Sequence, residues 1–500
     1  MIVLPIRLHE ESILSSKPAH RPTNEILSLQ NSNHISIGTV DSNMHPVVLV
    51  ITLLAALATL YLPKKHALVP LIVVAFLTPF GQQLMLGGLH FYAQRIVIIA
   101  GMIRLLRARL SSKLPLIVGG LQPIDKAIFA LIIVHATAYI LLYRNIGAIS
   151  YESAFVLEAA GGYLFCRYCI SDRQAVLQVS TALAIVAALL SVCMGFESLT
   201  RENVFSYINS YPIVPWIRLG RVRAQGTFAN SITSSTFGAT LFPLFFWLWK
   251  GTQEKLLGAI GLVASVVIVV ASMSGTGIMT LLGGMLALCL WPVRKYMRGI
   301  RWGVVVTVLL LALVMKAPVW FIIARFDVIG GHGWDRAHLI DLAVRHFFDW
   351  ALLGTKDNAT WGFVSWDQCD EFVFQAESGG IACFILFMVI ISRGFGMIGR
   401  ARKRVEGRRQ EWFFWCLGAV LFAHVMGFWG IDYFDRIRVW WYLFLAMIPA
   451  ATMAIRAPAT QRSRAVLVPD PVPLVYAANS IEPDTRSAQS SGFQAVNRPF

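Results

Sequence analysis

The sequence predicts an all-α polytopic membrane protein of about 12–13 transmembrane helices with two main outward loops, the larger containing an amphipathic helix. Three observations carry that reading. Of 500 residues, 56% are hydrophobic and only 14% charged, with a mean hydropathy of +0.63. A water-soluble fold has too little interior to hide that much apolar side chain. The apolar residues fall into runs that approach the roughly 20 a helix needs to cross a bilayer. Between them the basic residues gather in short stretches, RLLRARLSSK at 104–113, RKYMRGIR at 294–301 and RGFGMIGRARKRVEGRR at 393–409. That is the pattern of loops retained in the cytoplasm.

In chain order the expected spans are 46–62, 67–82, 88–105, 125–143, 150–169, 175–195, 228–249, 254–272, 275–292, 302–322, 373–392, 411–429 and 434–454. Three carry a weakness: 46–62 is short, 88–105 holds Arg95, and 150–169 holds Glu152 and Glu158. With the basic loops inside, 196–227 and 323–372 lie outside, and the C-terminal tail with Arg456, Arg462 and Arg464 lies inside. The chain then divides into a flexible N-terminal segment 1–45, a transmembrane domain 46–455 with its large outer loop at 323–372, and a disordered tail 456–500. Both ends are rich in Ser, Asn, Pro and Arg and lack a sustained apolar period. The first apolar run begins near Pro46, so a cleavable signal peptide is not expected.

A net charge of +16 invites a nucleic-acid reading, but its confinement to loops between spans points to membrane topology and anionic lipid instead. The seven cysteines are scattered, mostly inside apolar runs, and Cys166-x-x-Cys169 has no second pair. They read as packing residues rather than metal or redox centres.

The chemistry-bearing residues concentrate in the outer loops. Arg201, Arg218, Arg221 and Arg223 sit on the side where positive charge is disfavoured. Either they bind an anion, since a guanidinium forks onto phosphate, or they anchor the interface beside Tyr211 and Trp216. After Gly226 the chain enters a span whose first half is dense in Ser and Thr, suited to close helix packing or to a polar cavity wall. Ser274, Gly275, Thr276 and Gly277 mark a short outward turn, with a backbone anion nest as the alternative. In the larger loop, 335–353 fits an amphipathic helix with Leu339, Leu342, Ala343, Phe347 and Trp350 on its apolar stripe. Asp335 stands where a cap belongs, and Asp341 and Arg345 stand at pair spacing. Periodicity alone does not account for His332, His338, His346, Asp357, Asp367, Asp370 and Glu371 in the same loop, a group able to supply a general base. No metal-ligand spacing is present among them. Gly354 and the Gly379–Gly380 pair read as turn and close-packing positions.

Four segments carry a resemblance: RVRAQGTFANSITSSTFGATLFPL at 221–244, SMSGTGIMTLLGGMLALCLWPVRKYMR at 272–298, DRAHLIDLAVRHFFDWALLGT at 335–355, and DEFVFQAESGGIACFILF at 370–387. Together with the span layout they make residues 46–455 similar to the bacterial O-antigen ligase and O-antigen polymerase-like superfamily. The resemblance implies an inner-membrane protein that handles lipid-linked glycans at the periplasmic face. It maps the family's first-loop arginine and glycine onto Arg223 and Gly226, and its large-loop arginine onto Arg336. Where many members carry His-Asn, this chain has Cys369-Asp370-Glu371.

The reaction implied is a metal-independent, inverting glycosyl transfer from a polyprenyl diphosphate glycan to a second lipid-linked glycan (polymerase) or a lipid core sugar (ligase), without a soluble cofactor. Arg218, Arg221, Arg223 and Gly226 are then the diphosphate or substrate residues. Arg336, Asp370, Glu371, His338 and His346 are the catalytic candidates, Asp370 first as base. Expected partners are the glycan donor and acceptor, membrane lipids and other polysaccharide-assembly membrane proteins. The competing classes are a transporter or flippase, for which Arg95, Glu152, Glu158 and Asp432 are the available intramembrane charges, and a non-enzymatic membrane partner.

Overall fold

A computed structural model describes residues 43–86, 89–111, 115–210, 213–218, 220–326, 333–362, 365 and 369–453, which fall within one compact unit. The tail at 456–500 and all but the last three residues of segment 1–45 lie outside them, as do His332 and Asp367. Among the described residues sixteen α-helices and two short hairpins make up the regular structure. The protein is an all-α membrane protein. Five helices are long and apolar enough to cross a bilayer, Pro123–Tyr143, Arg173–Thr200, Arg294–Val314, Glu371–Arg404 and Arg408–Phe428, and three shorter apolar ones accompany them.

The first half runs α1 (Pro46–Tyr61), α2 (Val69–Leu77), α3 (Ala93–Ser111) and α4 (Pro123–Tyr143). It continues through α5 (Ile146–Val156), joined by a π turn at Leu157–Gly161 to α6 (Gly162–Cys169), and α7 (Arg173–Thr200). Residues 43–45 already belong to the fold, because the His45 ring caps α1 and the Asn43 amide bonds to Gln83 O. The span expected at 67–82 is a correction. Only nine residues are helical, because Pro79 and the left-handed Gly81 turn the chain into a hairpin, β1 (Gln83–Leu86) with β2 (Leu89–Tyr92). Arg436 closes the end of that short helix, donating to the carbonyls of Ala75, Thr78 and Pro79 while paired with Asp435. Helix-terminal carbonyls that water cannot reach are thereby satisfied.

The second half comprises hairpin β3 (Trp216–Arg218) and β4 (Arg221–Arg223), then α8 (Ser231–Gly251), α9 (Lys255–Ala271), α10 (Gly275–Cys289) and α11 (Met297–Val314). Next come α12 (Gly333–Arg345), the single turn α13 (Phe347–Trp350), α14 (Glu371–Arg404), α15 (Arg408–Phe428) and α16 (Asp435–Met453). Helix α8 is central, packed against α9, α10 and α15. Its hydroxyls turn back on their own helix, Ser235 and Thr236 onto Ile232 O and Thr240 onto Thr236 O. A side chain at Gly277 of α10 would collide with Ser235. The small first half of α8 therefore serves close packing rather than a cavity wall. The span expected at 302–322 shifts to α11, which stops before Pro318 and exposes every residue from Arg301 to Val314.

Candidate functional site

Four elements converge at one end of the bundle. The β3–β4 hairpin pairs Trp216 with Arg223, Ile217 with Val222 and Arg218 with Arg221. Opposed residues of an antiparallel pair share a face, so all three arginines stand on one side and Val222 is buried on the other. The hairpin is tied down at its exit, where the Ala224 amide donates to Ala271 O at 3.0 Å. The Glu197 carboxylate accepts from the amides of Gln225 and Gly226, and Asn203 donates to Gly226 O. Gly226 adopts φ +60°, and a side chain there would press on Leu190 at 2.9 Å. Its part is to turn the backbone after Arg223.

Helix α12 supplies Arg336. The helix expected over 335–353 ends at Arg345, with Phe347–Trp350 a separate turn; Leu339, Leu342 and Ala343 are buried on its apolar stripe, Trp350 is buried in α13, and Asp341 pairs with Arg345 at 2.7 Å. Asp335 lies inside the first turn rather than capping it. Leu339 and Ala343 pack with Val373 in a small apolar cluster that docks α12 on the start of α14. Arg336 is thereby held against the N-terminus of α10, where its Nη2 donates to Thr276 Oγ1 at 2.8 Å. The Thr276 hydroxyl also reaches Gly430 O at 3.3 Å, in the turn before α16. The Arg336 and Arg223 Nε–H groups are both buried without a hydrogen-bond partner.

Asp370 is fully buried at the N-cap of α14, where Oδ1 accepts from the Phe372 and Val373 amides at 2.8 and 3.1 Å. Its Oδ2 is buried with no hydrogen-bond partner. Burial pushes the Asp370 carboxyl up to about 7. The two amides and the Arg336 charge pull the other way, and Asp432 adds to the rise. Burial lowers the Arg223 pKa, and the neighbouring charges of Arg218 and Arg336 lower it further. Guanidiniums gathered this way, with the buried Nε–H groups of Arg223 and Arg336 unsatisfied, have the donors to meet an anion with several oxygens. The carboxylate nearby offers an acceptor oxygen for a hydroxyl proton.

Arg223 is thus near enough to feel the charges of Arg218 and Arg336, and Asp370 to feel that of Arg336. Arg221 shares the arginine face of the hairpin but is exposed. Glu371 turns away from the arginines, accepting from the Tyr433 amide and from Gln375. His338 stacks on Trp334 at 4.7 Å. His346 closes the far end of α12, about 15 Å along the axis from Arg336, where it stacks on Trp361 and meets Asp349 at 2.9 Å. Arg95 and Glu158 pair at 2.6 Å, closing a structural site.

Sequence reasoning missed the link from Thr276 to Arg336, and it missed Gln375, Arg436 and Arg438 altogether. The last two had a signal, since two arginines opening an apolar span need buried partners. Among the described residues no three His, Cys, Asp or Glu side chains gather as a metal ion would need, and no cysteine is bridged. The chain matches no family model, and the curated proteins contain no match to it.

Proposed function

We propose that the protein transfers a glycan from a polyprenyl diphosphate carrier to a glycan or lipid-linked acceptor, at the periplasmic face of a bacterial inner membrane, in O-antigen, exopolysaccharide or capsule assembly. The observation that carries the reading is the pair of buried, unsatisfied guanidinium N–H groups of Arg223 and Arg336 beside the unpartnered Oδ2 of Asp370. As the acceptor oxygen attacks the anomeric carbon, the sugar–diphosphate bond breaks and its electron pair leaves on the diphosphate. Positioned arginines stabilise that growing charge without a metal. The acceptor proton passes to Asp370, which is ionised above about pH 7. Cys369-Asp370-Glu371 stands where many members of the resembling family carry His-Asn, and that departure favours a polymerase-like acceptor over a lipid core sugar. The polyprenyl tail lies along the apolar bundle, and polysaccharide-assembly membrane proteins are the natural partners.

A transporter or flippase is the second reading, and the charges within the helices favour it. Most of those are paired with one another, Arg95 with Glu158 and His135 with Glu152 at 3.4 Å. The deciding experiment is the envelope glycan profile of a deletion strain complemented at matched membrane levels by wild type, Arg223→Ala, Arg336→Ala or Asp370→Ala. Polymer lost, single repeat units accumulated and rescue by wild type alone is the expected result. Accumulated long lipid-linked polymer indicates ligation. An unchanged profile under conditions where the pathway runs overturns both transfer readings.

A further inference from the structure

The opposite end of the bundle carries a second gathering of guanidiniums, remote from Arg223 and Asp370. Helix α10 starts beside Arg336 at Thr276 and ends just before Trp291, so about 22 Å of helix separates the two places. Trp291 meets Trp412 and Trp415 of α15 edge to face, with ring centroids 4.8 and 5.7 Å apart. Trp415 Nε1 donates to Ala287 O at 2.9 Å, which pins α15 to α10. Arg294 lies 4.1 Å over the Trp291 ring, and Arg402, near the end of α14, lies 5.2 Å over the Trp415 ring. Arg402 Nη2 also donates to Arg294 O at 3.3 Å. Arg301 of α11 is close enough for its charge to act on Arg402.

Stacking and hydrogen bonding hold Arg294 and Arg402 in place before any ligand arrives, so binding has less side-chain freedom to remove. Their donors are only partly used. Arg294 gives Nε to Glu411 at 3.0 Å and Nη1 to Trp291 O at 3.2 Å. Among the described residues, Arg294 Nη2 and Arg402 Nε and Nη1 meet no acceptor. Glu411 balances one of the three guanidiniums, and the stretches 294–301 and 402–411 hold nine Lys or Arg against two Glu. An anion is the matching ligand, and a phosphate has the several oxygens that two neighbouring guanidiniums can share. Apolar surface adjoins the cluster, because Leu282, Met285 and Leu286 of α10 are exposed. Tryptophans beside basic residues belong at the head-group level of a bilayer, where a phosphate brings acyl chains with it.

We infer that Arg294, Arg301 and Arg402, framed by Trp291 and Trp415, bind the phosphate of an anionic phospholipid whose chains run along the open face of α10. The site depends neither on glycan transfer nor on which compartment this end of the bundle faces.

The test is native mass spectrometry of the full-length protein in detergent, titrated with phosphatidylglycerol, phosphatidylcholine of the same chains, or inorganic phosphate. Wild type is expected to retain phosphatidylglycerol at concentrations where the other two leave it bare. Arg294→Gln combined with Arg402→Gln is expected to weaken that retention about ten-fold or more. Arg107→Gln combined with Arg109→Gln removes the same charge from the stretch 104–113 and should leave retention within about two-fold. Should the first double variant lose monodispersity, Arg402→Gln alone, which gives up a single hydrogen bond, is compared with Arg109→Gln. Equal losses in the two sets of variants would mean that bulk charge holds the lipid, and the site is overturned. Equal retention of phosphatidylcholine overturns it too, and phosphate bound in preference to phosphatidylglycerol rules out a lipid ligand.

Discussion

Asp370 does different work with its two oxygens. Oδ1 caps α14 through two amides and Oδ2 is left without a donor, so one carboxylate both fixes the helix start and keeps an acceptor in reserve. Its raised pKa has a definite consequence for pH. An unfolded aspartate titrates near about 3.9, whereas burial holds this one to about 7 in the fold. Between those values the folded protein keeps a proton that the unfolded chain has released, so stability falls as pH rises through that window. Thermal unfolding in detergent should show that decline in wild type and a flatter profile in Asp370→Asn. Transfer should move the opposite way, rising through pH 7 as the base ionises, and Asp370→Asn should lower it by roughly 10²–10⁴-fold. Arg336→Lys keeps the charge but loses the planar fork that donates to Thr276 and that the proposed transfer requires for the diphosphate. A drop of ~10²-fold in transfer at unchanged membrane level is the expected result, and near-wild-type turnover by the lysine variant would defeat the bidentate role. Arg218, Arg221 and Arg223 were legible in the sequence because positive charge stood against the topology trend, and Arg336 and Asp370 because of their places in the resembling segments. The Thr276 contact was not, since it depends on where α12 and α10 come to rest.

At the scale of elements, the break in α14 decides how the site is presented. Gly379 and Gly380 leave the helical region, with Gly380 at φ +71°, so Asp370 to Ser378 form a short outer helix set off from the long apolar shaft. The loop after α13 locks the break, through the Ile381 amide on Ala351 O and the Thr355 amide on Glu377 O. A methyl at Gly380 would stand 2.6 Å from Leu352 O in a conformation that side chains rarely adopt. Gly380→Ala is therefore expected to cost about 1–3 kcal/mol, read as a lower unfolding midpoint with a matching loss of Asp370-dependent activity. Gly303→Ala in α11 meets open space and should leave the midpoint within error. Sequence marked Gly354 and this glycine pair as turn and close-packing positions, and it placed the start and face of the amphipathic helix but not its end at Arg345, because the first signals are local. It failed at 67–82, where an almost continuous apolar run holds only a nine-residue helix and a hairpin follows directly after it. Hydropathy sums over a window and does not register that Pro79 and Gly81 end the helix inside it.

For the molecule as a whole, orientation in the membrane connects the site to its substrate. On the transfer reading the arginine cluster has to face the compartment where lipid-linked repeats are presented, while the basic stretch at 294–301 stays with the positive loops. Composition settles that a bilayer surrounds the chain, but apolar surface is alike on both sides, so only the distribution of charge carries a direction. That direction is open to a labelling test. Phe348, in the turn beyond α12, is 92% exposed, and Tyr296, between α10 and α11, is 72% exposed. Cysteine at either place projects into solvent or the lipid head-group region rather than into packing. In intact cells whose outer membrane has been opened, a membrane-impermeant maleimide is expected to label Phe348→Cys above the background of the native cysteines. Tyr296→Cys should react only after the inner membrane is breached. The reverse pattern would put Arg223, Arg336 and Asp370 in the cytoplasm, away from any periplasmic glycan, and the transfer reading would fall even if every contact in the site were correct. Labelling of both positions in intact cells would mean that α11 does not cross. Its wholly exposed run from Arg301 to Val314 would then require a place along the membrane surface instead.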